Sequence, residues 1–111
     1  MSRLIWLALS VMLALPVLAE DSVSAEREGE LRNLMIQDCG SCHGLTLRGG
    51  LGPSLLPATL QGKSAEYVSS VILDGRPANA MPGWRPLISE TEARWMAELL
   101  LNGGLLSEQG S

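Results

Sequence analysis

In Cys39-Gly40-Ser41-Cys42-His43 two thiols stand two residues apart and an imidazole follows at once, the arrangement that attaches a c-type haem. Thiols at that spacing reach the two vinyl groups of one porphyrin as thioethers, while the adjacent histidine is held under the iron as an axial ligand. Other uses of the pair find less support. A redox dithiol needs a strand-turn-helix setting, and no alternating strand pattern occurs in the chain. A structural zinc site normally takes four ligands, more than two cysteines and one histidine supply. A plain disulfide would leave His43 unexplained.

The second axial position narrows by inventory. With a single histidine in the chain, bis-histidine ligation is excluded. Of the methionines, Met1 and Met12 lie in the apolar N-terminal segment, Met35 stands one helical turn before Cys39, and Met96 lies in a helical apolar stripe. The last two suit packing. Met81 sits in a proline-rich loop followed by Pro82, so it has no stripe to serve and is the expected distal ligand. A thioether there favours ferrous iron and raises the potential. The predicted metal ligands are therefore His43 and Met81.

Supporting residues follow from what such a site needs. A ligating imidazole is oriented by donating its other N–H, and the carbonyl of Pro53, in the Gly52-Pro53 turn, can accept it. Haem propionates want cationic or hydrogen-bonding partners. Arg48 and Trp84 are the first candidates by reach, with Tyr67, Arg76 and Arg85 also available.

These residues must be positioned by short helices and loops. Leu31, Leu34 and Met35 fall at helical spacing, which predicts a helix from about Glu26 to Cys39 that delivers the chain into the motif. Frequent Gly and Pro between Gly44 and Gly62 predict a loop wrapped over a haem edge. Ser64 is placed to cap a second helix to about Leu73, with Tyr67, Val68, Val71 and Ile72 as its buried stripe and Gly75 as its stop. Pro77, Pro82 and Pro86 make Arg76 to Ile88 irregular. Ser89-Glu90-Thr91-Glu92 reads as a capping box for the last helix, with Trp95, Met96, Leu99 and Leu100 as its apolar face and Gly103-Gly104 at its end.

The first nineteen residues differ from the rest. Arg3, an apolar run from Leu4, Pro16 and Val17-Leu18-Ala19 read as a secretory signal cut after Ala19. The apolar run is shorter than the roughly twenty residues that span a bilayer. Cleavage leaves 92 residues with seven basic and twelve acidic side chains, a net charge of −5. That balance argues against nucleic acid and anionic lipid and favours a partner with a basic patch. Trp84, Trp95 and Tyr67 are the aromatics of this mature chain, so a buried porphyrin would supply much of its apolar centre.

Taken together, the leading helix, the Cys39–His43 motif, Gly52-Pro53, Met81-Pro82 and a closing helix with Trp95 resemble a class I cytochrome c. The resemblance implies an all-α fold of three to four helices with long loops around one covalently bound haem c. It covers residues 26–104, between a loose lead-in at 20–25 and a flexible tail at 105–111. It also implies that the first and last helices cross, bringing Leu31, Leu34 and Met35 to Trp95, Met96 and Leu99. The small residue that the family carries in its first helix is Leu31 here, with Gly29 displaced.

The string from Asp38 to Gly52, with Met81-Pro82-Gly83-Trp84 later, is similar to the small periplasmic cytochrome c55X group, associated with the denitrification cluster that makes cytochrome cd1 nitrite reductase. This similarity implies a periplasmic, monomeric one-electron carrier rather than an enzyme, serving that reductase or a haem d1-handling protein. The alternatives are a membrane-tethered subunit of a larger oxidase or reductase, and a haem enzyme or sensor with an open iron site.

Overall fold

The computed structural model describes residues 11–14 and 22–107. Most of the expected signal segment, its cleavage point and the last four residues of the tail lie outside them. Among the described residues the secondary structure is helical, with no strand and one isolated antiparallel bridge between Arg76 and Met81. None of these helices is long and apolar enough to cross a membrane.

Helix α1 spans Ala25–Leu34. The Ser24 hydroxyl accepts from the Arg27 amide at 3.1 Å, satisfying one of the amides that a helix start leaves open. The lead-in expected through residue 25 therefore ends one residue earlier. Leu31 and Met35 are fully buried and Leu34 is half-buried. Helical geometry then continues without a break: a π turn covers Met35–Cys39, with the Gly40 amide bonded to the Met35 carbonyl, and α2 covers Gly40–His43. The helix expected to end at Cys39 thus carries the whole attachment motif. Its stop is Gly44, whose φ of +90° the chain could not hold cheaply at another residue.

After a loop, α3 is a single turn at Pro57–Leu60, opened by its proline and buried through Leu60. Helix α4 covers Ala65–Asp74, capped by the Ser64 hydroxyl on the Tyr67 amide at 3.0 Å. Its buried residues are Val68, Ser69, Ile72 and Leu73. The expected stripe is corrected by about one position: Tyr67 is 42% exposed and Val71 half-buried. The two stripes overlap at Val68 and Ile72, and the side that meets α5 decides between them, burying Ser69 with Leu73.

Helix α5 covers Glu90–Asn102 behind a complete capping box, in which Ser89 Oγ accepts from the Glu92 amide and Glu92 accepts from the Ser89 amide. It packs mainly on α4 and more lightly on α1. The first and last helices do meet, but the larger contact is the α4–α5 one. Gly29 has open space around it, whereas Ala93 and Ala97 of α5 are completely buried. Trp95, expected in the core, is half-buried, with the Arg32 guanidinium 5.4 Å from its ring centre. A short α6, Gly104–Ser107, follows. The tail expected to be flexible from residue 105 is corrected here, because Leu105 is only 2% exposed and belongs to the core.

Candidate functional site

Cys39 and Cys42 lie on one continuous helical segment and both are free thiols. They are not alike. Cys42 is exposed, whereas Cys39 is half-buried against the core. Burial, reinforced by the neighbouring Asp38 carboxylate, pushes the Cys39 thiol up to about 11, so it stays protonated and slow to oxidise at neutral pH.

The loop after the motif folds back onto its end. The Gly49 amide donates to the His43 carbonyl and the Gly52 amide to the Cys42 carbonyl, each at 2.8 Å. Two helix-end carbonyls that would otherwise lack partners are thereby satisfied, and the loop is pinned beside the imidazole. His43 Nδ1 and the Pro53 carbonyl oxygen are 2.7 Å apart. A carbonyl can only accept, so Nδ1 carries the proton and donates. Nε2 is left with its lone pair, the tautomer a metal ligand needs. A β-carbon at Gly52 would lie 2.8 Å from His43 Nδ1 and Cε1. Only glycine leaves room for the ring at this orientation.

Met81 is anchored on a different element. Arg76 and Met81 exchange backbone hydrogen bonds, Arg76 N to Met81 O at 2.9 Å and Met81 N to Arg76 O at 3.2 Å. Gly75, with φ of +69°, ends α4 where a β-carbon would collide with the Met81 carbonyl. Ala80, just before Met81, has φ of +61°, an uncommon setting for a residue with a side chain. Met81 itself is half-buried, while Met35 and Met96 are sealed in the core at 0% exposure.

The remaining predicted residues divide. Trp84 is half-buried, and its amide donates to the Ile72 carbonyl at 3.0 Å, fastening the Met81 loop to α4. Arg48 is exposed and pairs with no carboxylate among the described residues. Arg85 is committed elsewhere, to Asp74 at 2.8 Å and Glu90 at 3.3 Å. Arg76 donates to the Tyr67 hydroxyl. Two contributors escaped sequence reasoning. Gly52 stood in view as half of a Gly-Pro turn, but its closeness to the imidazole is a through-space fact. The Arg76–Met81 bridge had no signal in the chain.

Among the described residues no three His, Cys, Asp or Glu side chains gather as a metal cage. The donor set is instead two thiols, one imidazole of fixed tautomer and one available thioether, which fits a haem. A family profile described as cytochrome c oxidase, cbb3-type, subunit III matches residues 26–100. Cytochrome c55X of Pseudomonas aeruginosa is 48% identical over 104 residues, covering 92% of this chain and 87% of that protein. Cytochrome c55X of Paracoccus denitrificans is 52% identical over 95 residues, covering 86% and 92%. The chain belongs to the cytochrome c55X family. A solved structure described as the c-type cytochrome NirC superposes on this c55X cytochrome with a TM-score of 0.73 at 47% identity, covering 75% of this chain and 98% of that one. The c55X cytochrome therefore has the class I cytochrome c fold, binds haem c covalently and belongs with one-electron carriers. The dihydro-haem d1 dehydrogenase of Pseudomonas aeruginosa also matches, at 40% identity over 91 residues that make up 17% of that protein.

Proposed function

We propose that this cytochrome is a periplasmic electron carrier of denitrification, supplying electrons to cytochrome cd1 nitrite reductase or to a protein that handles haem d1. Cys39 and Cys42 would hold the haem as thioethers, His43 would bind the iron through Nε2, and Met81 would bind it from the other side. Haem c supplies, when bound, a one-electron couple between ferric and ferrous iron. The chain's own part is to keep ligation saturated and reorganisation small. Pro53 fixes the imidazole tautomer, Gly52 gives the ring its place, and the Arg76 bridge and Trp84 amide hold the Met81 loop. Arg48 and Trp84 stay available to the propionates.

The observation that carries the reading is the His43 Nδ1 to Pro53 carbonyl hydrogen bond at 2.7 Å, beside two free thiols in a c55X chain. The haem d1 connection draws support from the relative named as a dihydro-haem d1 dehydrogenase and from the known association of the c55X group. Periplasmic location draws support from the residue 1–19 pattern.

Stopped-flow mixing of the reduced protein with purified cytochrome cd1 nitrite reductase is the test. The expected result is a second-order, salt-sensitive electron transfer. No transfer at any salt concentration, with a competent control donor, would leave a general carrier. The family profile named after an oxidase subunit gives a membrane-tethered form a specific rival claim. Recovery of the haem protein in the membrane fraction rather than the periplasm would favour it.

A further inference from the structure

Seven basic side chains lie beyond the expected cleavage point, and four of them are engaged. Arg27 pairs with Glu30 and Glu92, Arg85 with Asp74 and Glu90, and Arg94 with Glu98, while Arg32 lies over Trp95. Arg48, Lys63 and Arg76 pair with no carboxylate among the described residues. Two of these three converge. The Lys63 ammonium is 5.3 Å and the Arg76 guanidinium 5.9 Å from the centre of the Tyr67 ring, and Arg76 also donates to the Tyr67 hydroxyl. Both cations favour the electron-rich face of that ring, and Tyr67 itself is 42% exposed.

The patch adjoins the Met81 loop through the backbone bridge between Arg76 and Met81. Glu28, Glu66, Glu90 and Glu98 line an open groove beside the start of α1, α4 and α5 together with Arg85 and Arg94, and Tyr67 is not part of that lining. An acidic chain thus presents, beside its expected distal ligand, two cations without internal counter-ions.

We propose that Lys63, Tyr67 and Arg76 form the surface through which this cytochrome exchanges its electron, and that this surface fits a partner protein presenting carboxylates. The proposal rests on Met81 as distal ligand. Whole-chain charge favours a basic partner, but at physiological salt charges more than about 8 Å from a contact are largely screened. The docking surface is therefore governed by the local pair. Arginine and tyrosine are also the side chains that dominate the centres of protein interfaces, and Arg76 holds Tyr67 in place before any partner arrives.

The test uses the intact holoprotein and two small oxidants of opposite charge, ferricyanide and tris(phenanthroline)cobalt(III), at low and high ionic strength. The methionine-to-iron band of the oxidised protein is read first. Lys63→Glu should slow the ferricyanide reaction by roughly threefold or more at low salt and speed the cobalt reaction, with the band retained. Glu98→Gln, in the groove, should change the ratio of the two rates far less. Equal sensitivity to Glu98→Gln, or none to Lys63→Glu, overturns the surface. A shifted reduction potential with an unchanged rate ratio also overturns it, since the cations would then serve the haem's own propionates. An absent band in the wild-type protein removes the ligand reading beneath the proposal, an outcome distinct from an intact band with insensitive rates.

Discussion

At the scale of single residues, Met81 and Gly52 are expected to decide whether the iron site holds its character. Met81→Ala should leave the haem covalently bound while abolishing the methionine-to-iron band and lowering the potential, because a thioether that favours ferrous iron is lost. Spectroscopy and redox titration of the variant check this, and the same change at Met35 or Met96 should leave the band in place. Gly52→Ala sets a β-carbon 2.8 Å from the His43 ring. The imidazole must then rotate off the Pro53 carbonyl, so a shifted potential and weakened ligation are expected, seen in the absorption spectrum and in imidazole competition. The attachment motif was readable in the chain because covalent attachment restricts residue types directly, and Met81 stood out as the methionine outside a helical stripe. Gly52's place beside the imidazole and the Arg76 bridge were not, because they depend on which backbone lies near them after folding; Gly75 was legible as the stop of α4, though its closeness to the Met81 carbonyl was not.

At the scale of elements, the core is set mainly by α4 against α5, with α1 packed more lightly on α5, and the expected costs follow burial. Met96, at 0% exposure, should lose about 2 to 5 kcal/mol on truncation to alanine. Half-buried Trp95 should lose less, about 2 kcal/mol, part of it through Arg32. Chemical denaturation of the two variants gives the order. The α1–α5 junction also titrates. The Arg27 guanidinium, helped by the Ser89 amide, holds the Glu92 carboxyl below the usual carboxylate range. This contribution is present above the unfolded value of about 4.3 and is lost as pH falls through the lower folded value. Urea midpoints should therefore drop between pH 5 and pH 2 more steeply in the wild type than in Glu92→Gln. The three longer helices were legible from caps and apolar spacing. The rotation of α4 and the half-burial of Trp95 were not, since a stripe says that a face is buried but not which neighbour selects it.

At the scale of the molecule, the chain through Ser107 belongs to the fold. Ending the chain at Gly104 removes Leu105, which is 2% exposed, and should cost about 2 kcal/mol or more, measurable as a lower thermal midpoint with the haem still attached. Gly103-Gly104 suggested an end because glycines commonly terminate helices, yet apolar residues beyond them were free to turn back into the core. The π turn at Met35–Cys39 bears on the molecule in another way. Each α-helical residue advances the chain by about 100° around its axis, so one residue accommodated in a wider turn changes the angular phase of everything after it. Leu31 and Met35 can then aim inward while the thiols of the same rod take their own bearing. The wider turn thus sets the bearing of the exposed Cys42 apart from that of the buried Leu31 and Met35 on one helix.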